Sequence, residues 1–75
     1  MKTYIDTEGT EIQMDVEAAQ GPTYINTLYQ GQVVQALAEE GQYIVRIPNM
    51  FPIIFTSEAF HASFNEVIDV NYSQQ

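Results

Sequence analysis

The cleanest pattern in the chain is a strict alternation over Glu11-Ile12-Gln13-Met14-Asp15-Val16-Glu17. Successive side chains of a β-strand point to opposite faces. Ile12, Met14 and Val16 therefore share one face, suited to a core, and Glu11, Gln13, Asp15 and Glu17 share the other, suited to water. Turn chemistry brackets the segment. Thr7-Glu8-Gly9-Thr10 precedes it, with Gly9 able to take a positive φ, and Gly21-Pro22 breaks the connection from Ala18 to Pro22 that follows.

The same periodicity predicts further short strands. Thr3 to Asp6 forms the first, and Tyr24 to Tyr29, rich in β-formers, leads into a Gln30-Gly31 turn. Gln32 to Glu40 fits two templates. As a helix it groups Val33, Val34 and Leu37 with Gly41 as the C-cap; as a strand it returns from the Gly31 turn. The strand is preferred, because only a hairpin loop separates it from its neighbour. Tyr43 to Ile47 is a further strand, Pro48-Asn49 turns the chain, and Phe51 to Phe55 returns it. Pro52 marks that segment as an edge strand or a strand start. Thr56 or Ser57 then caps a short helix running to about Asn65, with Glu58 at its positive end and Phe60 and Phe64 on one face. Glu66 to Tyr72 alternates again and reads as a last strand, and Ser73-Gln74-Gln75 is expected to fray.

Five or six short strands and one short helix in the C-terminal half predict an α+β fold. The expected architecture is a small curved antiparallel sheet or partly open barrel, with the two Phe of the helix plugging one face or end. Seventy-five residues make one domain, 1–75. A chain of this size has a marginal core. It holds no Cys and one His, so neither a disulfide nor structural zinc is available to support it. Good packing or self-association remains, and a two-fold homodimer is the commonest closed arrangement.

Charge changes the picture most. Ten carboxylates face two cations, Lys2 and Arg46. A field of that sign disfavours direct contact with nucleic acid or with an anionic membrane, and it complements a basic protein surface. The same acidity also keeps small proteins soluble. Apolar residues at 45%, including four Phe and five Tyr, are enough to drive collapse, which argues against disorder. No stretch approaches the roughly 20 apolar residues of a membrane span. The first residues carry no apolar block of the kind a secretory signal needs, and the lack of Cys fits a reducing cytoplasm.

The stretch Gly41-Gln42-Tyr43-Ile44-Val45-Arg46, then Phe51-Pro52-Ile53, then Ser57-Glu58-Ala59-Phe60-His61-Ala62-Ser63-Phe64 resembles small phage-encoded proteins of the PGDYG type. Val16-Glu17-Ala18 and the run from Tyr24 to Gly31 fit the same cadence. Gln42 stands where that family usually has Asp, Ala38-Glu39-Glu40 replaces the Pro before Gly, and Phe51 replaces the usual Tyr. The resemblance implies a phage or prophage origin, and hence the cytoplasm of a bacterial host. It brings no catalytic residues. In size, charge and origin the chain is also similar to the general type of phage anti-defence inhibitor, such as an anti-CRISPR.

Candidate chemistry is sparse. Ser57 and His61 are four apart with Glu58 beside them. A nucleophile needs a base in reach and an oriented third group, but a cap position occupies the hydroxyl and no oxyanion loop is present. The Asp6 to Glu11 turn gathers three carboxylates without the spacing of a calcium loop. No phosphate loop or cofactor motif occurs, and Asn71-Tyr72-Ser73 is a glycosylation sequon only in form.

The acidic strand face is the leading binding candidate. Alternate residues on a strand lie about 7 Å apart, comparable to phosphates along a nucleic-acid strand. Glu11, Asp15 and Glu17 therefore form a row able to imitate a phosphate backbone on a basic surface. Glu39 and Glu40, and also Glu66 and Asp69, are candidates to extend it. Tyr24 and Tyr29 fall on opposite faces of their strand, so one of them is expected to be exposed as an interface ring. The resulting expectation is a non-enzymatic acidic binding protein, a phage or mobile-element inhibitor of a host defence or nucleic-acid-processing protein. The alternatives are a self-associating accessory or structural domain, with the Phe51 to Phe55 edge as its interface, and a small-ligand module with a pocket between helix and sheet.

Overall fold

A computed structural model describes residues 1–67. Strands β1 (Lys2–Asp6), β2 (Glu11–Ala18), β3 (Thr23–Tyr29), β4 (Gln32–Ala38), β5 (Tyr43–Arg46) and β6 (Ile53–Phe55) precede a helix, α1 (Ser57–Ser63), and a further strand, β7 (Phe64–Glu66). Five strands form one antiparallel sheet in the order β6-β5-β2-β1-β7, and β3 and β4 form a separate hairpin. The alternating segment is the central strand. Its first half, from Glu11 to Met14, pairs with β1, and its second half, from Asp15 to Ala18, pairs with β5. The two wings of the sheet are thus joined through β2 alone.

The apolar face of β2 supports the main core. Met14 and Val45 are fully buried, and Tyr4 and Phe60 nearly so, with Ile12, Val16, Phe55 and Phe64 packed around them. α1 delivers Phe60 to the middle of this cluster. Its cap is Thr56, whose Oγ1 accepts from the Ala59 N–H at 3.1 Å, and Glu58 sits in the first turn. The Phe60 ring meets Tyr43 and Tyr4 nearly edge-on, with centroids 5.0 and 5.7 Å apart, and leans on Phe64 at 5.4 Å. Such contacts add about 0.5–1.5 kcal/mol per pair beyond area burial.

The other face of the sheet carries a thinner cluster. Ile44 alternates with Val45 and so points the opposite way, where Ala19, Ile25 and Ala38 cover it, joined by Ala36 and Ile54. This is the base of the hairpin. Gln30 and Gly31 make its two-residue turn, both at positive φ (51° and 80°), the geometry that matches strand twist in a tight hairpin. The molecule is elongated, 47 × 26 × 20 Å.

Several expectations need correction. The antiparallel sheet is present with five strands, but it is open and no barrel forms, and two further strands make a separate hairpin packed on it, because the Ala18 to Pro22 connection carries the chain off the sheet and β5, not β3, takes the place beside β2. The strand reading of Gln32 to Glu40 holds as Gln32–Ala38. The helix stops at Ser63, since Phe64 is already extended (φ −139°, ψ 144°) and starts β7 against β1. β6 begins only after Pro52, at the sheet edge. Beyond Val67, the rest of the expected Glu66 to Tyr72 strand, Asp69 and the Ser73-Gln74-Gln75 tail lie outside the described residues.

Candidate functional site

Two surfaces stand out, and both follow from strand alternation. The first is the polar face of β2. Glu11, Gln13, Asp15 and Glu17 are all exposed on the side opposite Met14. At one end, the turn into β2 adds Asp6 and Glu8. Asp6 Oδ1 accepts from the N–H groups of Glu8 and Thr10, both at 2.9 Å, so its carboxylate organises this turn. At the other end, the turn carrying Glu39 and Glu40 is tied to the strand's continuation: Ala19 N–H donates to Gln42 O at 2.8 Å and Gly41 N–H donates to Ala19 O at 3.0 Å. The backbone thus anchors an acidic turn at each end of the carboxylate row.

The row is not bare. Arg46 Nη1 lies 2.9 Å from Glu17 Oε1, and the Met1 ammonium lies 3.4 Å from Asp15 Oδ1. Register explains the first pair, since Arg46 stands opposite Asp15 on β5 and reaches diagonally to Glu17. Glu11 has no ion pair among the described residues. The paired carboxylates remain 57% and 62% exposed, and exposed pairs contribute about 0–1 kcal/mol, little enough to be exchanged for a partner's cations. Glu66 does not extend the row. Its register partner is Tyr4, so it belongs to the helix side, where Lys2 pairs with it at 3.5 Å.

The second surface is the outer face of the hairpin. Cross-strand pairs Tyr24 with Leu37, Asn26 with Gln35 and Leu28 with Val33 line it. All six are exposed, and the four apolar ones are among the most exposed large hydrophobics of the chain. Exposed apolar side chains in a contiguous group, unlike scattered ones, mark an interaction surface. Beside Leu28 an apolar cleft of about 360 Å³ opens toward Met50 and Phe51, which the Pro48-Asn49 turn holds out from the sheet edge. Of Tyr24 and Tyr29, one of which alternation expects to be exposed, both are, at 66% and 62%. Only the base of the hairpin reaches the sheet, so Tyr29 gains no cover although it shares a face with buried Ile25. Neither Tyr shares a sheet with the acidic row.

On the helix side, a hollow of about 300 Å³ is lined by Tyr43, Phe60, His61 and Glu66 among others. His61 Nε2 is 3.4 Å from Tyr43 Oη, which places the imidazole against a phenol. The phenol of buried Tyr4 is pushed above its usual range by desolvation first and by the nearby Glu66 carboxylate second. Among the described residues no group of His, Asp and Glu converges for a metal, and no helix is long and apolar enough to cross a membrane.

Among the described residues the chain is thus β-rich with one short helix, presenting a carboxylate-lined strand and an uncharged hairpin on its surface. It matches no protein-family model, no curated protein and no solved structure.

Proposed function

We propose that this chain is a non-enzymatic acidic binding protein that lays the polar face of β2 against a basic surface of a partner protein. The observation that carries the reading is the band of carboxylates along the exposed face of the central strand, Glu11, Asp15 and Glu17, with the turns bearing Asp6 and Glu8 and Glu39 and Glu40 fastened at its two ends. Phosphate-like spacing along the strand favours partners whose basic surface normally holds nucleic acid. The resemblance in residues 41–64 supplies the setting, a phage or mobile-element inhibitor of a host defence or nucleic-acid-processing protein in a bacterial cytoplasm.

The test is capture from a bacterial lysate at low and high salt, followed by competition of the identified partner with a short DNA duplex. The reading expects the duplex to displace the parent chain. It also expects the E11Q/D15N/E17Q variant to bind at least tenfold more weakly at low salt, on the order of three lost charge contacts at about 0.5 kcal/mol each. A partner that holds DNA and this chain together, and binds the neutralised variant equally well, overturns it.

A second reading draws on the hollow at Tyr43, Phe60, His61 and Glu66. Aromatic rings beside a carboxylate suit a small organic cation. A thermal-shift series with quaternary ammonium compounds checks it: stabilisation that Glu66→Gln abolishes supports it, and none at millimolar concentrations counts against it.

A further inference from the structure

We propose that the outer face of the β3–β4 hairpin is a homodimer interface, occupied by the same face of a second copy of this chain. The chain carries a net charge of −8, so two copies repel wherever carboxylates meet. Residues 18–38 contain no charged side chain at all, and neither do residues 47–57. The hairpin and the neighbouring Met50-Phe51 turn therefore form a surface on which this acidic chain can approach itself without opposing like charges. A basic partner would select a surface bearing carboxylates, and the hairpin offers none.

The pattern across the face is also self-complementary. Asn26 pairs with Gln35 at its middle, with apolar pairs on either side: Tyr24 with Leu37 and Leu28 with Val33. A two-fold axis through the centre sets amide against amide, each able to donate and accept, and sets apolar pairs against apolar pairs. A two-stranded hairpin is marginal until its second face is covered, and here the inner face reaches the sheet only through Ile25, Ala36 and Ala38. Two hairpins packed face to face, about 10 Å apart, complete that cover.

Size sets the strength. Strands of seven residues are about 24 Å long, and a hairpin is about 10 Å wide, so the face alone falls short of the roughly 800 Å² per partner of a standard interface. Met50 and Phe51, across the cleft from Leu28, extend it. A face of this size belongs with small, weakly associating interfaces. It uses none of the carboxylates of β2: that row lies on the same side of the five-stranded sheet as the hairpin, since Glu17 stands opposite Ile44, but the hairpin's outer face bears no charged side chain.

Sedimentation equilibrium of the full chain over a concentration series, at low and high salt, tests this. The parent is expected to dimerise at tens of micromolar or above and to associate more tightly as salt screens the repulsion between copies, the reverse of the salt response expected of the acidic face with a basic partner. Leu28→Glu sets a carboxylate against apolar side chains in the interface and is expected to weaken dimerisation at least thirtyfold; Tyr24→Ser is expected to weaken it less. Both side chains are exposed, so far-UV circular dichroism of each variant should match the parent. A parent that stays monomeric at the highest concentration in high salt overturns the proposal. So does a Leu28→Glu variant that dimerises as the parent does, or a dimer that salt dissociates.

Discussion

The two faces of the five-stranded sheet are built to different standards. On the helix side, five large rings, Tyr4, Tyr43, Phe55, Phe60 and Phe64, close over Met14 and Val45. On the hairpin side, two of the four buried residues are alanines, and Ile25 and Ile44 supply most of the apolar volume. The first face holds the domain together. The second holds a hairpin just firmly enough to present it, with its outer surface apolar and uncovered. A domain of 75 residues cannot furnish two deep cores, and it concentrates its bulk on one side of β2.

That contrast predicts a ranking of effects. Phe60→Ala empties the centre of the aromatic cluster and should cost roughly 3–5 kcal/mol, enough to remove most of the stability of a small domain; urea unfolding checks it. Ile25→Ala, on the thinner side, should cost about 2 kcal/mol, at the lower end for such truncations, because fewer neighbours lose contacts. An equal or larger loss at Ile25 would erase the proposed difference between the faces. Hydrogen exchange sharpens the same point: amides of β3 and β4 should exchange through local opening well before those of β2 and β5.

Smaller effects follow from the polar groups. Asp6→Ala removes the acceptor for two backbone N–H groups in an exposed turn and should cost about 1 kcal/mol. Tyr4 gives a pH signature. Its folded phenol titrates above its ordinary value, so the folded state holds the proton more tightly than the unfolded chain does. The resulting stability is present in full below about pH 10 and is lost as pH rises through the folded value. Tyr4→Phe should lessen the alkaline loss in urea midpoints while leaving the profile near neutrality the same shape.

Much of this was legible in the residues. The alternation from Glu11 to Glu17 fixes which side chains of β2 meet the core and which meet water, and the inward face of Phe60 follows from local spacing, while the cap is narrowed only to Thr56 or Ser57, of which Thr56 serves. The partnering of β2 with β5 was not legible, because β3 and β4 intervene and a hairpin pairs as readily with itself as with a sheet. Phe64 satisfies both the helical and the strand period, so local pattern could not say where α1 ends. Alternation says only that one of Tyr24 and Tyr29 faces out; that both do depends on how far the hairpin projects, which no local pattern encodes. The placement of Glu39 and Glu40 rests on backbone bonds from Ala19 to residues more than twenty positions away. The pairing of Arg46 with Glu17 likewise depends on long-range register.

The most direct test of the account is the rate of association with the captured partner, measured by stopped flow or surface plasmon resonance across a salt series, for the parent and for E11Q/D15N/E17Q. An acidic strand that steers docking predicts a fast parent rate that falls steeply with salt, and a slow, nearly salt-independent rate for the neutralised chain. Superimposable rates and salt slopes for the two proteins would contradict it.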